Sequence, residues 1–388
     1  MIENSLPEPG YIAQIRSQLR RFVAEKAPRE KRREWDRAHT FPRGLYQELA
    51  EMGLMGLTVP EAYGGNGQDV LAAIVVIEEL GRAGPFLAGP FIHCAFYGGM
   101  NISENGSEAQ KKELLPQLAR GEIKFAYGLS EPDIGADLAS VKTRAHIEGD
   151  DVVLNGTKRW CTGADFADYI YCLVNSAPEG DRYKNLSLVL VPRDTPGMTL
   201  SPIEHINLRY TLSSDVHFDE ARIPVGNIVG GQDAWNRGWG MLAGRTLDVE
   251  KLEVSAVAFG FAQAAVHEAW TYAQEREQFG RPIAGHQSVA HTLVEARTRL
   301  EACRHVLYHA ARLASEMKPC SIEASMAKLF IADTGVEIAL ACQRVMGAYA
   351  LSDAYDIERN VRDLLSMPIV GGSSAIQKNN LARLWRLS

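Results

Sequence analysis

The sequence predicts an α+β protein in which two helical regions flank a central region of β-strands. The hydrophobic pattern has a helical period up to about residue 120, alternates between about residues 121 and 235, and is helical again beyond residue 236. A chain of 388 residues is also longer than one hydrophobic core normally serves. We therefore expect an N-terminal helical domain over residues 1–120, a central β barrel or sandwich over 121–235 and a C-terminal four-helix bundle over 236–388.

The N-terminal region carries helical signals along most of its length. Apolar residues at helical spacing predict helices over residues 11–26, 45–52 and 69–80. A further predicted helix covers residues 107–119. It begins with Ser107 as a candidate N-cap, and Gln110 follows at the spacing of a capping box.

Short apolar runs between Gly, Pro, Asp and Asn residues predict strands in the central region, at 141–147, 152–154, 169–174, 186–191 and 216–218. Turn signals occur at 149–151 and at Asn155-Gly156, a pair that favours a tight hairpin turn. Helical character then returns in four segments, 241–277, 286–316, 321–346 and 375–385. Gly347 suits the end of the third of these helices.

The composition excludes several classes of protein. A net charge of −7 and a pI near 5.9, with acidic and basic residues interspersed, argue against a nucleic-acid-binding protein. No apolar stretch approaches the roughly 18 residues of a membrane span, and the N-terminus does not resemble a signal peptide. The six cysteines are scattered without a CxxC pair, which argues against a metal site or a disulfide framework. We expect a cytoplasmic location.

A series of motifs runs through the chain in a fixed order: PEAYGG at 60–65, GSEAQ at 106–110, LSEPDIGAD at 129–137, NGTKRWCT at 155–162, FDEARIP at 218–224, REQFGRPI at 276–283 and QRVMGAY at 343–349. Each motif alone is common, whereas the ordered set is specific. From about residue 40 to 385 the chain resembles the acyl-CoA dehydrogenase family. The resemblance implies an acyl-CoA dehydrogenase-like fold and an FAD cofactor.

The resemblance also implies which residues hold the flavin. Ser130 and the backbone of Leu129 match residues that bind the pyrimidine edge, Trp160 matches an indole beside the isoalloxazine, and Thr162 matches a hydroxyl that reaches flavin N5. A donor at N5 stabilises the flavin that has received a hydride. The matches near the diphosphate are Gly135, Ala136 and Ser373. Because the family usually has Gly-Ser where this chain has Gly135-Ala136, we expect one hydroxyl contact fewer.

A second set of residues matches positions that contact the FAD of a neighbouring subunit or its adenine half: Arg276, Phe279, Gln287, Gln343 and Gly347. An arginine suits a diphosphate because its guanidinium forms paired, charge-assisted hydrogen bonds. Since part of each cofactor site would come from a partner chain, the resemblance implies a homodimer or a homotetramer.

The position of the catalytic base departs from the commonest family pattern. Most members carry a glutamate in a Y-E-G-T segment, where this chain has IVGGSS at 369–374 and Gly371 stands at the glutamate position. A minority, including isovaleryl-CoA dehydrogenases and crotonobetainyl-CoA reductases, place the glutamate on the first bundle helix in an L-D-x-E-R context. Here that segment is LDVEK at 247–251, so the resemblance makes Glu250 the candidate base.

Other residues around this segment match substrate contacts. The backbone N–H of Gly371 matches a donor to the thioester carbonyl oxygen, which a glycine retains. Asp248 matches a residue near the CoA pantetheine, and Lys251 stands where arginine is commoner. We interpret two further acidic residues, Glu131 and Asp363, as structural partners of arginines such as Arg359 or Arg362.

The implied function is FAD-dependent α,β-dehydrogenation of an acyl-CoA thioester. Glu250 removes the α proton, the β hydride passes to flavin N5, and an electron-transfer flavoprotein accepts the electrons. Alternatives are a desaturase of an acyl group on a carrier protein, an enoyl-CoA reductase, a non-catalytic subunit of a heteromeric enzyme, and a flavin oxidase or oxygenase. The acyl chain is not determined by the sequence, and we expect a short, branched or cyclic group by analogy alone.

Overall fold

The computed structural model describes residues 8–387 and has helical regions on both sides of a β-sheet, which confirms the predicted α+β class. The N-terminal region has seven α-helices: α1 Gly10–Lys26, α2 Arg29–Ala38, α3 Arg43–Glu51, α4 Val70–Ala83, α5 Pro85–Cys94, α6 Asn101–Asn105 and α7 Glu108–Ala119. A π-helical turn, Ala95–Met100, joins α5 to α6. The predicted capping box of α7 is present, with reciprocal hydrogen bonds between Ser107 and Gln110.

The central region forms one seven-stranded sheet: β1 Phe125–Gly128, β2 Arg144–Glu148, β3 Asp151–Thr162, β4 Tyr169–Asn175, β5 Leu186–Pro192, β6 Met198–Ile203 and β7 Ser213–Pro224. Its strand order is β1-β4-β2-β3-β7-β6, and β5 pairs with the other edge of β4. Strands β1 and β4 run parallel, and β1 also contacts the long strand β3.

The turn predicted at Asn155-Gly156 is wrong. Both residues lie inside β3, where the pairing with β7 shifts register between Leu154 and Gly156. A Cβ atom on Gly156 would lie 2.7 Å from the Thr143 Cα atom, and the residue has a φ of +143°. The glycine is therefore required by a bulge and a close backbone approach.

The C-terminal region is helical: α8 Gly238–Leu242, α9 Arg245–Glu275, α10 Gln287–Ser315, α11 Ser321–Met346, α12 Ile357–Leu364 and α13 Ser374–Leu384. A two-residue hairpin, β8 Glu277–Gln278 and β9 Arg281–Pro282, connects α9 to α10. Helix α9 packs against α10 and α11, and α13 packs against α11, which is the predicted bundle. The N-terminal helix α4 also packs along α9, so the two helical regions share one core.

Buried charges tie these helices together. Glu78 on α4 is fully buried and pairs with Arg16 of α1 at 3.0 Å and with Arg304 of α10 at 3.5 Å. Gln263 of α9 donates a hydrogen bond of 2.6 Å to the same carboxylate, and so does the Tyr308 hydroxyl. Burial raises the pKa of Glu78, but the positive charges of Arg16 and Arg304 outweigh that effect and hold the pKa at about 2. Within residues 8–387, no helix is long and apolar enough to cross a membrane.

Candidate active site

Glu250 lies in the second turn of α9 and is half-buried. Its carboxylate forms no hydrogen bond or ion pair with any other residue between 8 and 387. Burial raises the pKa of Glu250 to about 7, and the ammonium groups of Lys251 and Lys328 limit that rise. A carboxylate with a pKa near neutrality and no structural partner is suited to exchange a proton with a ligand.

The segment that carries Gly371 is held against α11 by two hydrogen bonds. Fully buried Lys328 donates from Nζ to the Met367 carbonyl oxygen at 2.7 Å, and the Ser374 hydroxyl donates to Asp333 at 2.6 Å. Burial lowers the pKa of Lys328 to about 8, although Asp333 and Glu250 favour its charged form. Lys328 thus links the Gly371 segment electrostatically to Glu250.

Gly371 lies against the helix face that carries Glu250. A Cβ atom on Gly371 would stand 2.7 Å from Cγ2 of Val254, which is one turn beyond Glu250 on α9. Gly371 also has a φ of +60°, in the left-handed region that side chains disfavour. A glutamate at this position would require Val254 and the backbone to move.

We expect Gly371→Ala to lower the free energy of unfolding by about 1–2 kcal/mol, because it places a side chain at a left-handed residue and against Val254. Denaturant titration of the flavin-loaded protein at fixed concentration measures the change. Gly44→Ala on α3 is the matched control, since a Cβ atom there meets nothing within 4 Å. The control is expected to be neutral or slightly stabilising. Equal stability of Gly371→Ala and wild type would contradict the prediction.

Two stacked tyrosines lie within the electrostatic influence of Glu250. The rings of Tyr97 and Tyr127 lie 3.8 Å apart with an interplanar angle of 14°. Asn101 Nδ2 donates a hydrogen bond of 2.5 Å to the Tyr127 hydroxyl. Burial, together with the nearby carboxylates of Glu250 and Glu253, raises the pKa of both tyrosines. Tyr97 belongs to the π-helical turn, a feature often found at functional sites.

Glu253 is a carboxyl group beside Glu250 that the sequence analysis missed. It lies three residues after Glu250 on α9 and is 3% exposed. Burial, and then the Glu250 carboxylate, raise the pKa of Glu253 well above its ordinary value. The spacing in the sequence could have revealed it, because residues i and i+3 share one helix face.

The candidate substrate residues Asp248 and Lys251 are paired with each other. Lys251 is buried and donates to Asp248 at 2.8 Å, and the Ser321 hydroxyl of α11 donates to the second Asp248 oxygen. The pair therefore fixes the start of α9 on α11. Contact of either residue with CoA remains a prediction.

The residues matched to the isoalloxazine meet at a bulge in β3. The register with β7 shifts between Lys158 and Cys161, and Trp160 has a φ of +63°. Trp160 is 54% exposed, and the Arg159 guanidinium lies 5.4 Å from the centroid of its ring. Bulges commonly re-aim a side chain beside a binding site. An exposed, fixed indole fits a flat aromatic ligand such as the flavin.

Leu129, Ser130 and Thr162 lie around this bulge. The Arg159 amide donates to the Ser130 carbonyl at 2.8 Å, and the hydroxyls of Thr162 and Ser213 are 2.8 Å apart. Buried Lys158 donates to the Leu129 carbonyl at 3.2 Å. The structure thus brings the Leu129–Ser130 backbone and the Trp160 strand together.

The expected arginine partner of Glu131 is wrong. The charges of Arg359 and Arg362 do act on Asp363 and lower its pKa against the larger effect of burial, although neither forms an ion pair with it. Glu131 pairs with Lys158 at 2.9 Å and accepts hydrogen bonds from the amides of Lys142 and Thr143. Asp363 accepts a hydrogen bond of 2.7 Å from the Leu208 amide. Both carboxylates nevertheless support loops, as expected of structural residues.

The residues matched to the diphosphate lie at loop and helix ends. Gly135 and Ala136 are exposed in the loop after β1. Ser373 caps α13, because its hydroxyl accepts a hydrogen bond of 3.4 Å from the Ile376 amide. A helix N-terminus favours an anionic group.

The remaining candidate FAD residues form a separate, exposed group. Arg276 lies 5.7 Å from the Tyr349 ring centroid, and Phe279 is 94% exposed in the hairpin between α9 and α10. Gln287 is exposed at the start of α10, Gln343 donates to the Ala350 carbonyl at 3.5 Å, and Gly347 has a φ of +62°. No hydrogen bond or ring contact in the described part of the chain joins this group to Trp160 or Thr162.

Comparison with known proteins agrees with this geometry. Three family models match in order: acyl-CoA dehydrogenase N-terminal domain over residues 12–122, middle domain over 126–221 and C-terminal domain over 236–385. An acyl-CoA dehydrogenase of Bacillus subtilis is 34% identical over 373 residues, covering 95% of this chain and 97% of that protein. A caffeyl-CoA reductase–Etf complex subunit of Acetobacterium woodii is 31% identical over 371 residues, covering 94% and 95%. The structure of butyryl-CoA dehydrogenase from Megasphaera elsdenii has a TM-score of 0.93 at 26% identity, covering 99% of this chain and 100% of that one.

The chain therefore belongs to the acyl-CoA dehydrogenase family. It is an FAD-dependent oxidoreductase of CH–CH bonds, a dehydrogenase or reductase of acyl-CoA thioesters. The family and the FAD cofactor predicted from the sequence are confirmed.

Proposed function

We propose that this enzyme dehydrogenates an acyl-CoA thioester between its α and β carbons, with Glu250 as the base. The observation that carries the proposal is the unpaired, half-buried carboxylate of Glu250, on the helix face that meets Gly371 at Val254 and near enough to Tyr97 and Tyr127 to raise their pKa values. In the reaction the α C–H bond breaks, its proton goes to Glu250, and a C=C bond forms as the β hydrogen leaves with its electron pair. FAD, when bound, accepts that hydride.

The chain's own residues prepare the acyl group for this step. The Gly371 N–H donates to the thioester carbonyl oxygen and stabilises the negative charge that develops there. Lys328 holds the Gly371 segment through the Met367 carbonyl, and its positive charge favours ionised Glu250.

The proposed flavin contacts are those of the β3 bulge: Trp160, Thr162, Ser130 and Leu129. Gly135, Ala136 and Ser373 would lie toward the diphosphate. The exposed group of Arg276, Phe279, Gln287, Gln343 and Gly347 would serve the FAD of a second copy of the chain, in a homodimer or homotetramer. Their lack of contact with the β3 bulge supports that assignment. An electron-transfer flavoprotein is the proposed electron acceptor, since one relative is a subunit of a reductase–Etf complex.

Enoyl-CoA reduction is the second candidate function. The Glu250 pKa of about 7 suits a group that gives a proton as well as one that takes it. The reductase subunit of Acetobacterium woodii is 31% identical to this chain, and the acyl-CoA dehydrogenase of Bacillus subtilis is 34% identical. In this direction protonated Glu250 would supply the α proton.

The pH dependence separates the two directions. We expect kcat/KM for anaerobic flavin reduction to rise about tenfold per pH unit below a midpoint near 7 and then to level off, because only ionised Glu250 removes a proton. Rapid-mixing absorbance across this range measures it. The charged and titratable groups around Glu250 are Lys251, Lys328, Glu253 and the two tyrosines.

Two outcomes of the pH experiment decide the assignment. If the rise of kcat/KM toward pH 7 reports the ionisation of Glu250, Glu253→Gln retains that rise. A rate of flavin reduction that does not change across this range contradicts the role of Glu250. In the reductive direction the pH dependence is opposite: the rate of enoyl-CoA reduction falls above the same midpoint, because only protonated Glu250 supplies a proton.

A further inference from the structure

The Glu253 carboxyl is a buried polar group that neither the fold nor the proposed reaction uses. It is 3% exposed, yet it forms no hydrogen bond or ion pair with any other residue between 8 and 387. Two other buried carboxyls, those of Glu78 and Glu131, are paired with cations. An unpaired buried carboxyl costs stability, so its retention points to a partner that arrives with a ligand.

Glu253 shares its surroundings with the proposed base. It follows Glu250 by three residues on α9, so both side chains leave the same helix face. Both carboxylates act on Tyr97 of the π-helical turn and Tyr127 of β1, since the pKa values of these tyrosines are raised by burial and by the charges of Glu250 and Glu253. Asn101 donates to the Tyr127 hydroxyl and leaves that hydroxyl's own proton free for another acceptor. Glu250, Glu253, Tyr97 and Tyr127 thus form one wall of the proposed acyl site, and this wall is polar.

The charge of this wall limits what can bind. Among residues 8–387, burial and the Glu250 carboxylate both raise the pKa of Glu253, and none of these residues forms an ion pair with it. The neutral form of Glu253 is therefore favoured. A protonated carboxyl both donates and accepts a hydrogen bond. A hydrocarbon chain would leave Glu253 unpaired, and an anionic substituent beside Glu253 would be repelled by the Glu250 carboxylate.

We propose that Glu253, with Tyr97 and Tyr127, selects acyl groups that carry a hydroxyl or amino substituent beyond the β carbon. The proposal rests on the proposed function, since Glu250 then locates the α carbon and we place the part of the acyl group beyond the β carbon beside Glu253, about one helical turn further along α9. The shared chemistry is a substituent with an O–H or N–H donor. A hydroxyl would pair with the neutral carboxyl, and an ammonium group would draw the proton off Glu253 and pair with its carboxylate.

The test uses the FAD-loaded enzyme and four thioesters of equal chain length: valeryl-CoA, δ-hydroxyvaleryl-CoA, δ-aminovaleryl-CoA and glutaryl-CoA. Calorimetric binding and anaerobic flavin reduction are measured separately for wild type, Glu253→Gln and Glu253→Leu. Wild type is expected to bind the hydroxyl or the amino thioester at least about tenfold more tightly than valeryl-CoA, and glutaryl-CoA most weakly. The two polar thioesters distinguish the two substituents.

The variants show whether Glu253 is the cause. Glu253→Leu should lose the preference and bind valeryl-CoA best. Glu253→Gln keeps a neutral donor and acceptor, so it retains a hydroxyl preference and loses an ammonium preference. If Glu253→Leu does not fold, as judged by its flavin content, the comparison of wild type with Glu253→Gln tests the proposal instead.

Three results overturn the proposal: equal preferences in wild type and Glu253→Leu, tighter binding of glutaryl-CoA than of the polar thioesters, or no thioester binding at all. Failure of the proposed function looks different. The Glu253-dependent binding preference would then persist while no thioester reduces the flavin in any variant.

Discussion

Glu250→Gln is expected to lower the rate of flavin reduction by acyl-CoA roughly 10²–10⁴-fold, because glutamine has the shape of glutamate but cannot accept the α proton. Thioester binding and flavin content should change little, since the Glu250 carboxylate has no partner in the folded chain. Rapid mixing under anaerobic conditions measures the rate, and calorimetry measures the binding.

Glu275→Gln is the matched control for this experiment. Glu275 is an exposed carboxylate at the far end of the same helix, α9, and should leave the rate near that of wild type. If Glu250→Gln also reduces its flavin at close to the wild-type rate, the base is another group. Glu253 would then be the next carboxyl to replace.

The same variant has a stability signature. The folded-state pKa of Glu250, about 7, lies above the ordinary value of 4.5, so the ionised carboxylate opposes folding increasingly as pH rises through this window. At pH 8, the free energy of unfolding of Glu250→Gln should therefore exceed that of wild type by on the order of 1–3 kcal/mol, as denaturant titration measures. At pH well below 4.5 the difference should disappear, since the carboxyl is then neutral in both states.

Glu78→Ala is expected to lower the free energy of unfolding by about 3–5 kcal/mol, because it leaves buried arginines without a counter-charge. Arg16 and Arg304 both contact this carboxylate and are themselves almost fully buried. Denaturant titration at fixed protein concentration measures the change. Glu25→Ala on α1 is the control, since Glu25 is exposed. A loss no larger than that of the control would show that the network does not stabilise the fold.

The network also predicts how acid affects the protein. Glu78 has a folded-state pKa of about 2, below its ordinary 4.5, so its contribution to stability is complete above 4.5 and is lost as pH falls toward 2. Wild type should lose stability through this window more steeply than Glu78→Ala. Parallel curves would place the acid sensitivity elsewhere.

Regular elements with long-range amphipathic patterns were predictable from the sequence. The bundle helices α9, α10 and α11 are long, free of internal proline, and supported by tertiary packing over most of their length. The capping box of Ser107 and Gln110 is a local device, so it too could be predicted. In contrast, Asn155-Gly156 has a local turn preference that its pairing with β7 and its close approach to Thr143 override.

The candidate site was predictable only in part, for a related physical reason. Glu250 and Gly371 could be identified because their segments match family motifs, but the contact between Gly371 and Val254 depends on how a distant loop returns to α9. The stacking of Tyr97 on Tyr127 joins a π-helical turn to a strand, and neither residue stands in a motif that signals the contact. Glu253 was visible in the helical spacing, yet its burial without a partner is a property of the packed structure.

An anaerobic titration of the FAD-loaded wild-type enzyme with a panel of acyl-CoA thioesters tests the central proposal most directly. The flavin's visible absorbance reports reduction without any added electron acceptor. We predict that at least one thioester bleaches the flavin and is converted to its α,β-enoyl product. A flavin that no acyl-CoA thioester bleaches, and that no enoyl-CoA reoxidises after chemical reduction, would contradict the proposal.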